Sequence, residues 1–426
     1  MSTPSAGPRR RAWLAAGAGA LLAAGCSREA MQAIEGGYTG IAHERGHLLR
    51  QPWPDRAPDA TRRVHTVIAG GGIAGLAAAR ALRLAGHEDF AVLELEDTAG
   101  GNSRGTQVGG IDCPMGAHYL PVPGDDARAV QDLLEELGLR RRVAGRWQID
   151  ERHLCHSPQE RLFFDGHWQD GLLPVQGVGA GTLAQYRRFA RAVARAQARA
   201  HYAVPIQKSS FAGVQLAQDA ITFKAWLRAE GLDDAHLLWY LDYCCRDDYG
   251  AGIATVSAWA GLHYFASRHG FHAPGDAPGM GGEASAVFTW PQGNGWIGAR
   301  LAAPLGDRLR TGRVVGRIAH GRHGVAVDAI DVANGRLERW QAPQAIVALP
   351  ALAAARVVQP APEALRQRAA TIRTAPGWWP TCACACRWTT GPAPRRAGTT
   401  CCTAAPAWAT SMHGTRACAP CPAPRC

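Results

Sequence analysis

Residues 64–105 read VHTVIAGGGIAGLAAARALRLAGHEDFAVLELEDTAGGNSRG, and the fold follows from their spacing. A short apolar run at residues 67–69 leads into three glycines, Gly70, Gly72 and Gly75, in the pattern G-x-G-x-x-G. An Ala/Leu-rich helical segment follows and stops at Gly86, and a second apolar run, residues 90–93, ends in Glu94. Gly70 permits a tight strand-to-helix turn, Gly72 lets backbone approach a pyrophosphate, and Gly75 lets the helix pack close to the strand. The first helical turn, with Gly71, Ile73 and Ala74, offers free N–H groups and the positive end of the helix dipole to phosphates. Glu94 follows about 20 residues on, at the tip of the second strand, where a carboxylate holds ribose hydroxyls. An acid there disfavours a 2′-phosphate, so FAD or NAD is expected rather than NADP. A glycine triplet alone is an ordinary turn, but strand, helix, strand and acid in this order specify a dinucleotide site.

The residues after Glu94 separate FAD from NAD. Gly100 and Gly101 form a second glycine pair, followed by Asn102, Ser103 and Arg104. By physics alone the pair is a loop through which backbone approaches something. The run ELEDTAGGNSR resembles the flavin-dependent amine oxidase and phytoene desaturase superfamily, whose members carry a glycine pair, usually followed by Arg, shortly after the ribose acid. Asn102 stands where that Arg usually is, and the resemblance implies that Arg104 takes over the diphosphate contact. It extends to GGIDCPMGAHY, residues 109–119, where the family has an aspartate, a glycine and polar residues close to the flavin. Gly116, Ala117 and His118 are the positions implied. His118 is the candidate for a residue beside the reactive ring; the plainer reading is a loop histidine satisfied by backbone. The family's amine oxidases often use a lysine and a water there, and the two lysines of this chain, Lys208 and Lys224, lie in no matching motif.

The 426 residues suffice for two or three domains with real cores. The formal charge of +11 comes almost entirely from arginine. No basic stripe interleaved with aromatics is present, so the excess reads as solvated surface and not as a nucleic-acid site. At the N-terminus, PRRRAW at residues 8–13 precedes an apolar Ala/Gly/Leu stretch. Arg10-Arg11-Ala12-Trp13-Leu14 resembles a twin-arginine export signal, and Leu22-Ala23-Ala24-Gly25-Cys26 a lipoprotein cleavage box with Cys26 lipidated; the alternative is a plain signal peptide with an incidental cysteine. The expected location is periplasmic, with a possible lipid anchor; the apolar run is too short for a good spanning helix. Residues 36–63 read as a linker. His43 and His47 lie four apart among turn residues, and no metal site is expected.

Residues 126–139 have the spacing of an amphipathic helix ended by Gly138, and residues 161–174 that of a hairpin turning at Asp165-Gly166. Residues 182–200 and 223–231 read as helices. Residues 237–249 read either as a pocket wall over the flavin or as a buried helix with an interhelical ion pair, the latter preferred. Trp259, His263 and Tyr264, in the helical run 257–268, either line a cavity or pack a core. FTWPQGNGWIGAR, residues 288–300, resembles the family's segment before the helix that follows the substrate domain. Short strands are expected at residues 309–315 and 324–327, and the resemblance places Val314 and Val315 at the adenine, with Val315 the contact. Residues 344–350 read as a buried strand ending in Pro350.

Residues 377–426 break the pattern. They contain no Leu, Ile, Val, Phe, Tyr, Asp, Glu, Asn, Gln or Lys, and hold eight of the thirteen cysteines. Two readings stand: a metal or disulfide tail, or an out-of-frame translation of GC-rich DNA beginning near Pro376. The cysteines fit no regular zinc spacing, which favours the second. The family's C-terminal flavin motif is absent from this stretch, which implies that the reactive ring is poorly held.

The expected fold is α/β: a Rossmann-like FAD-binding domain from residues 61–124 and 291–376, with an inserted α+β substrate domain at 125–290, preceded by a signal (1–26) and linker (27–60) and followed by the aberrant tail. The expected function is FAD-dependent oxidation of a small molecule by hydride transfer from a C–N or C–C bond. The alternative is a non-catalytic exported lipoprotein using a dinucleotide domain as scaffold.

Overall fold

The computed structural model describes residues 40–155, 161–268, 270–274 and 286–374. The elements below belong to one unit that starts at Ala42. Strand β1 (Ala60–Arg63) precedes β2 (Thr66–Ala69), helix α1 (Ile73–Leu84) and β3 (Phe90–Leu93). All residues of β2 and β3 are buried, as parallel strands covered on both faces must be. The two pair in parallel with Thr66 opposite Phe90.

Four helices then gather around one aromatic core: α2 (Ala180–Arg199), α3 (Phe223–Ala229), α4 (Ala235–Tyr249) and α5 (Ala258–Ala266). Tyr186, Phe189, Phe223, Leu237, Leu241 and Leu262 lie at its centre. The helix starts are chemically marked. Thr222, Asp234 and Ser257 each accept backbone N–H groups of the first turn, which replaces hydrogen bonds that no preceding turn supplies. Gly250, left-handed, ends α4.

The chain returns through α6 (Gly295–Ala302), β4 (Leu309–Arg310), β5 (Arg313–Gly321), β6 (Gly324–Asp331), β7 (Leu337–Ala342) and β8 (Gln344–Val347). A four-stranded parallel sheet runs β4–β3–β2–β8. β5, β6 and β7 form an antiparallel ribbon with β1 parallel to β7 at its edge. α1 and α6 pack one apolar cluster with Ile68, Phe288 and Trp290. Val67, Ala69, Ala91 and Leu93 pack with Val315, Val327 and Trp340 of the ribbon in another. This is the α/β architecture expected, a parallel dinucleotide-type sheet interrupted by an inserted, mainly helical unit.

Several details differ from the sequence reading. The strands expected at 309–315 and 324–327 are longer: the chain breaks at Gly312, and β5 and β6 then run nine and eight residues. β7 was not read as a strand because Glu338 interrupts its apolar pattern, although that side chain is 7 % exposed and paired with Arg62 and Arg313. β8, expected to be buried, is half-exposed, because among the described residues β2 is its one neighbour in the sheet. The presumed linker carries a helix at His43–His47 and ends in β1. His43 and His47 meet edge to face at 5.6 Å, and no His/Cys/Asp/Glu group among the described residues could hold a metal. The amphipathic helix spans Arg128–Glu136, and the hairpin turns at Asp165 and Gly166, both with positive φ, the two-residue turn that matches strand twist. Among the described residues no helix is long and apolar enough to cross a membrane. The export signal, Cys26 and the tail 377–426 lie outside the described residues.

Candidate functional site

The site starts at the turn between β2 and α1. Gly70 has φ +102°, a left-handed conformation that a side chain would strain, and its N–H donates to Leu93 O at 2.9 Å. Gly72 begins α1 in extended conformation, with no side-chain cap. The first helical bond runs from Leu76 N to Gly72 O, so the N–H groups of Ile73, Ala74 and Gly75 have no acceptor within the helix. A Cβ on Gly75 would sit 1.8 Å from Gly70 O, so this helix lies against its strand only with glycine here. The second glycine loop docks on the first: Gly100 N donates to Gly71 O at 2.8 Å, and a Cβ on Gly101 would approach Gly72 Cα to 3.1 Å. Two bare backbone turns thus face an uncapped helix start, a cradle for an anion with backbone donors.

Glu94 stands at the tip of β3, 7 % exposed. Its carboxylate accepts Gly71 N at 2.7 Å and Glu96 N at 2.9 Å. Burial raises its pKa above the ordinary carboxyl range, while those two N–H groups and Arg104 pull it down. The start of β5 joins here: Arg313 N donates to Glu94 O at 2.7 Å and Gly312 N to Glu96 O at 3.0 Å. Val315 therefore lies two residues from the acid's backbone, with its side chain buried between sheet and ribbon. Arg104, expected at the diphosphate, is held by Glu96 at 3.2 Å and by Gly101 O at 3.2 Å, with both side chains largely buried. Glu96 was missed because its position after Leu95 reads as an ordinary surface acid.

Loop 114–119 packs on the second glycine loop. Ala117 N donates to Asn102 O and Met115 N to Arg104 O, each at 3.0 Å, and a Cβ on Gly116 would collide with Asn102 O at 2.6 Å. From the other side, Asn294 N donates to Ala117 O and Thr289 Oγ1 to His118 O. The His118 ring lies edge-on to Tyr119 at 4.8 Å. It also acts on Asp247, near the end of α4: burial and Asp248 raise that carboxyl's pKa, and His118 opposes them. Among the described residues, Gln292 Oε1 and Asn294 Oδ1 are buried beside this loop without donors. Neither was singled out from sequence, although both fall within the stretch 288–300. The structure thus brings Gly70 to Gly75, Glu94, Gly100 to Arg104, the loop 116–118 and Val315 into one contiguous region. Uncapped N–H groups, a buried acid, glycine-lined approaches and orphaned acceptors there fit FAD.

Two other candidates resolve as core. Trp259 and His263 are buried, and His263 Nε2 donates to Ala203 O at 2.9 Å; burial holds its imidazole pKa below the usual range. Tyr264 packs beside that same core, with the Arg268 guanidinium 4.3 Å from its ring. The aromatic run 237–249 lies in α4; Asp248 pairs with Arg268, just past the end of α5, at 2.8 Å, and Asp242 with Arg246 within α4 at 2.6 Å.

The sequence model of the flavin containing amine oxidoreductase family matches residues 73–396, past the start of the segment read as out of frame. No curated protein matches the chain. The wild-type putrescine oxidase bound to putrescine is similar in structure, with a TM-score of 0.55 and 22 % identity over 73 % of this chain and 64 % of that one. Cyclohexylamine oxidase from Brevibacterium oxydans IH-35A gives a TM-score of 0.50 and 22 % identity, covering 72 % of this chain and 63 % of that one. The chain therefore spans less than two-thirds of the length of these proteins, and the likeness supports the fold.

Proposed function

The chain belongs to the flavin containing amine oxidoreductase family, and on that premise we propose that it is an FAD-dependent oxidoreductase acting on a C–N or C–C bond of a small organic substrate. The observation that carries this reading is the uncapped start of α1 beside the buried carboxylate of Glu94. In this reading Ile73, Ala74 and Gly75 give N–H groups to the diphosphate, Glu94 takes the ribose hydroxyls, and loop 116–118 borders the ring. The flavin, when bound, supplies the hydride acceptor. The protein binds it, orients the substrate carbon and excludes water. No base is assigned; His118 is the titratable side chain in loop 116–118.

We further propose that the absence of a second flavin motif from residues 377–426 leaves the ring loosely held, supported by the lack of Leu, Ile and Val there. Export by the twin-arginine route with a lipid on Cys26 rests on residues 10–14 and 22–26; a Cys26→Ser variant that still carries labelled lipid sinks the anchor. The direct test is purification with added FAD, followed by anaerobic mixing with a panel of primary amines including putrescine and cyclohexylamine. Bound flavin that bleaches with an amine supports the enzyme. Bound flavin that no substrate reduces favours a scaffold, and no bound flavin refutes the flavoenzyme.

A further inference from the structure

Residues 42–50 precede the family match and read as linker, yet they fasten the loop that follows Glu94. Ala42 N donates to both carboxylate oxygens of Glu96 at 3.2 Å. Arg45 makes a two-pronged contact with Asp97, Nη1 to Oδ1 at 2.9 Å and Nη2 to Oδ2 at 3.0 Å. Arg45 Nη1 also donates to Leu95 O at 3.1 Å. Three consecutive residues, 95, 96 and 97, are thus held from outside by one short segment. The Arg45 side chain is 20 % exposed, whereas that of Asp97 is 78 % exposed. An ion pair so open on one side contributes little to stability, so its effect is sought in placement.

The loop matters because of what it touches inward. Glu96 N donates to Glu94 Oε1, so the backbone path of residues 95–97 sets the orientation of the buried carboxylate. The Glu96 side chain holds Arg104, whose Nε reaches Gly101 O in the second glycine loop. One loop therefore links the segment 42–50 to both the acid and the second glycine turn. Farther along the same approach, Trp53 lies in the notch left by Gly316, where a Cβ would come within 1.8 Å of the indole ring. That glycine follows Val315 in β5, so the chain before the dinucleotide motif meets this region at a second place.

We propose that segment 42–50 is a strap that positions Glu94 and Arg104 for the adenosine-diphosphate half of FAD, with Arg45 as its positioning residue. The proposal rests on the FAD reading above. The strap holds residues 95–97 through Ala42 N and the Arg45 side chain, and those residues lead to Glu94 and Arg104, so its effect is expected at the nucleotide end of the cofactor.

The test compares Arg45→Ala, Arg45→Lys and, as a control ion pair on the same approach, Arg56→Ala, which unpairs Asp59. Amide exchange of Glu96 is followed in protein without added flavin, and FAD and FMN are titrated separately. Arg45→Ala is expected to speed Glu96 exchange and to weaken FAD about tenfold, with FMN, which lacks the adenosine, unchanged. Arg45→Lys recovers part of the loss, and Arg56→Ala behaves as wild type. Unchanged Glu96 exchange, or FAD and FMN weakened equally, overturns the strap. If the wild type binds no FAD while Arg45→Ala still loosens Glu96, the flavin reading has failed and the cofactor role of the strap falls with it, leaving a structural fastening alone.

Discussion

At the scale of single residues, the site turns on what is missing and what is buried. Gly75 lacks the one atom that would collide with Gly70 O. Gly75→Ala is expected to push α1 off β2, lowering the melting temperature and abolishing flavin retention; a variant that keeps both shows that the contact relaxes. Glu94 presents the opposite case, a carboxyl whose pKa burial raises. Below its unfolded pKa both states hold the proton and that contribution to stability is full. As pH rises the unfolded chain loses the proton first, and stability falls until the folded group also ionises. If Glu94 takes the ribose hydroxyls as proposed, its charged form is the one that binds, and FAD affinity is expected to move the other way, tightening as pH rises through that range. Glu94→Gln is expected to flatten both trends and weaken FAD; titrations at several weakly acidic pH values check it, and a wild-type affinity independent of pH refutes it. The sequence showed Glu94 through its distance from the glycines. It did not show Glu96, because no local pattern reveals that a surface-type acid will meet Arg104 and the backbone of residue 42.

At the scale of elements, the helical spacings and the turn at Asp165-Gly166 were legible in the sequence, whereas the residues that cap α3, α4 and α5 were not singled out. Ser257, Asp234 and Thr222 mark helix starts by accepting N–H groups, and Asp165-Gly166 makes its turn by tolerating positive φ. Ser257→Ala removes the bond to Ala260 N and is expected to destabilise the chain by about 1 kcal/mol. Urea denaturation checks this, and a shift indistinguishable from zero shows that solvent replaces the cap. Elements defined by distant partners were harder to read. β7 is a strand because Glu338 finds two arginines, and β1 is one because β7 lies beside it. The burial expected for β8 failed for a related reason: its apolar sequence calls for covering on both sides, and among the described residues one side has a strand.

At the scale of the whole molecule, two kinds of core divide the work. The helical unit closes on aromatics, with Phe189 edge-on to Phe265 at 5.2 Å and to Phe271 at 4.8 Å. Phe189→Ala is expected to cost about 3–5 kcal/mol, because a hole in this packing fills poorly; a midpoint in urea close to wild type shows instead that the helices collapse into it. The cofactor sheet is built otherwise, from strands far apart in the chain. β2 and β3 are complete by Leu93, but their outer neighbours are β4 at Leu309–Arg310 and β8 at Gln344–Val347. A ribosome releases the first two strands, apolar throughout, long before the strands that flank them exist. Such non-local pairing folds slowly and leaves sticky edges open meanwhile. The nascent chain must therefore be shielded until residue 347 has emerged. Any stall in synthesis between those points strands a half-sheet, and aggregation of such fragments, rather than loss of the finished protein, is the hazard this layout carries.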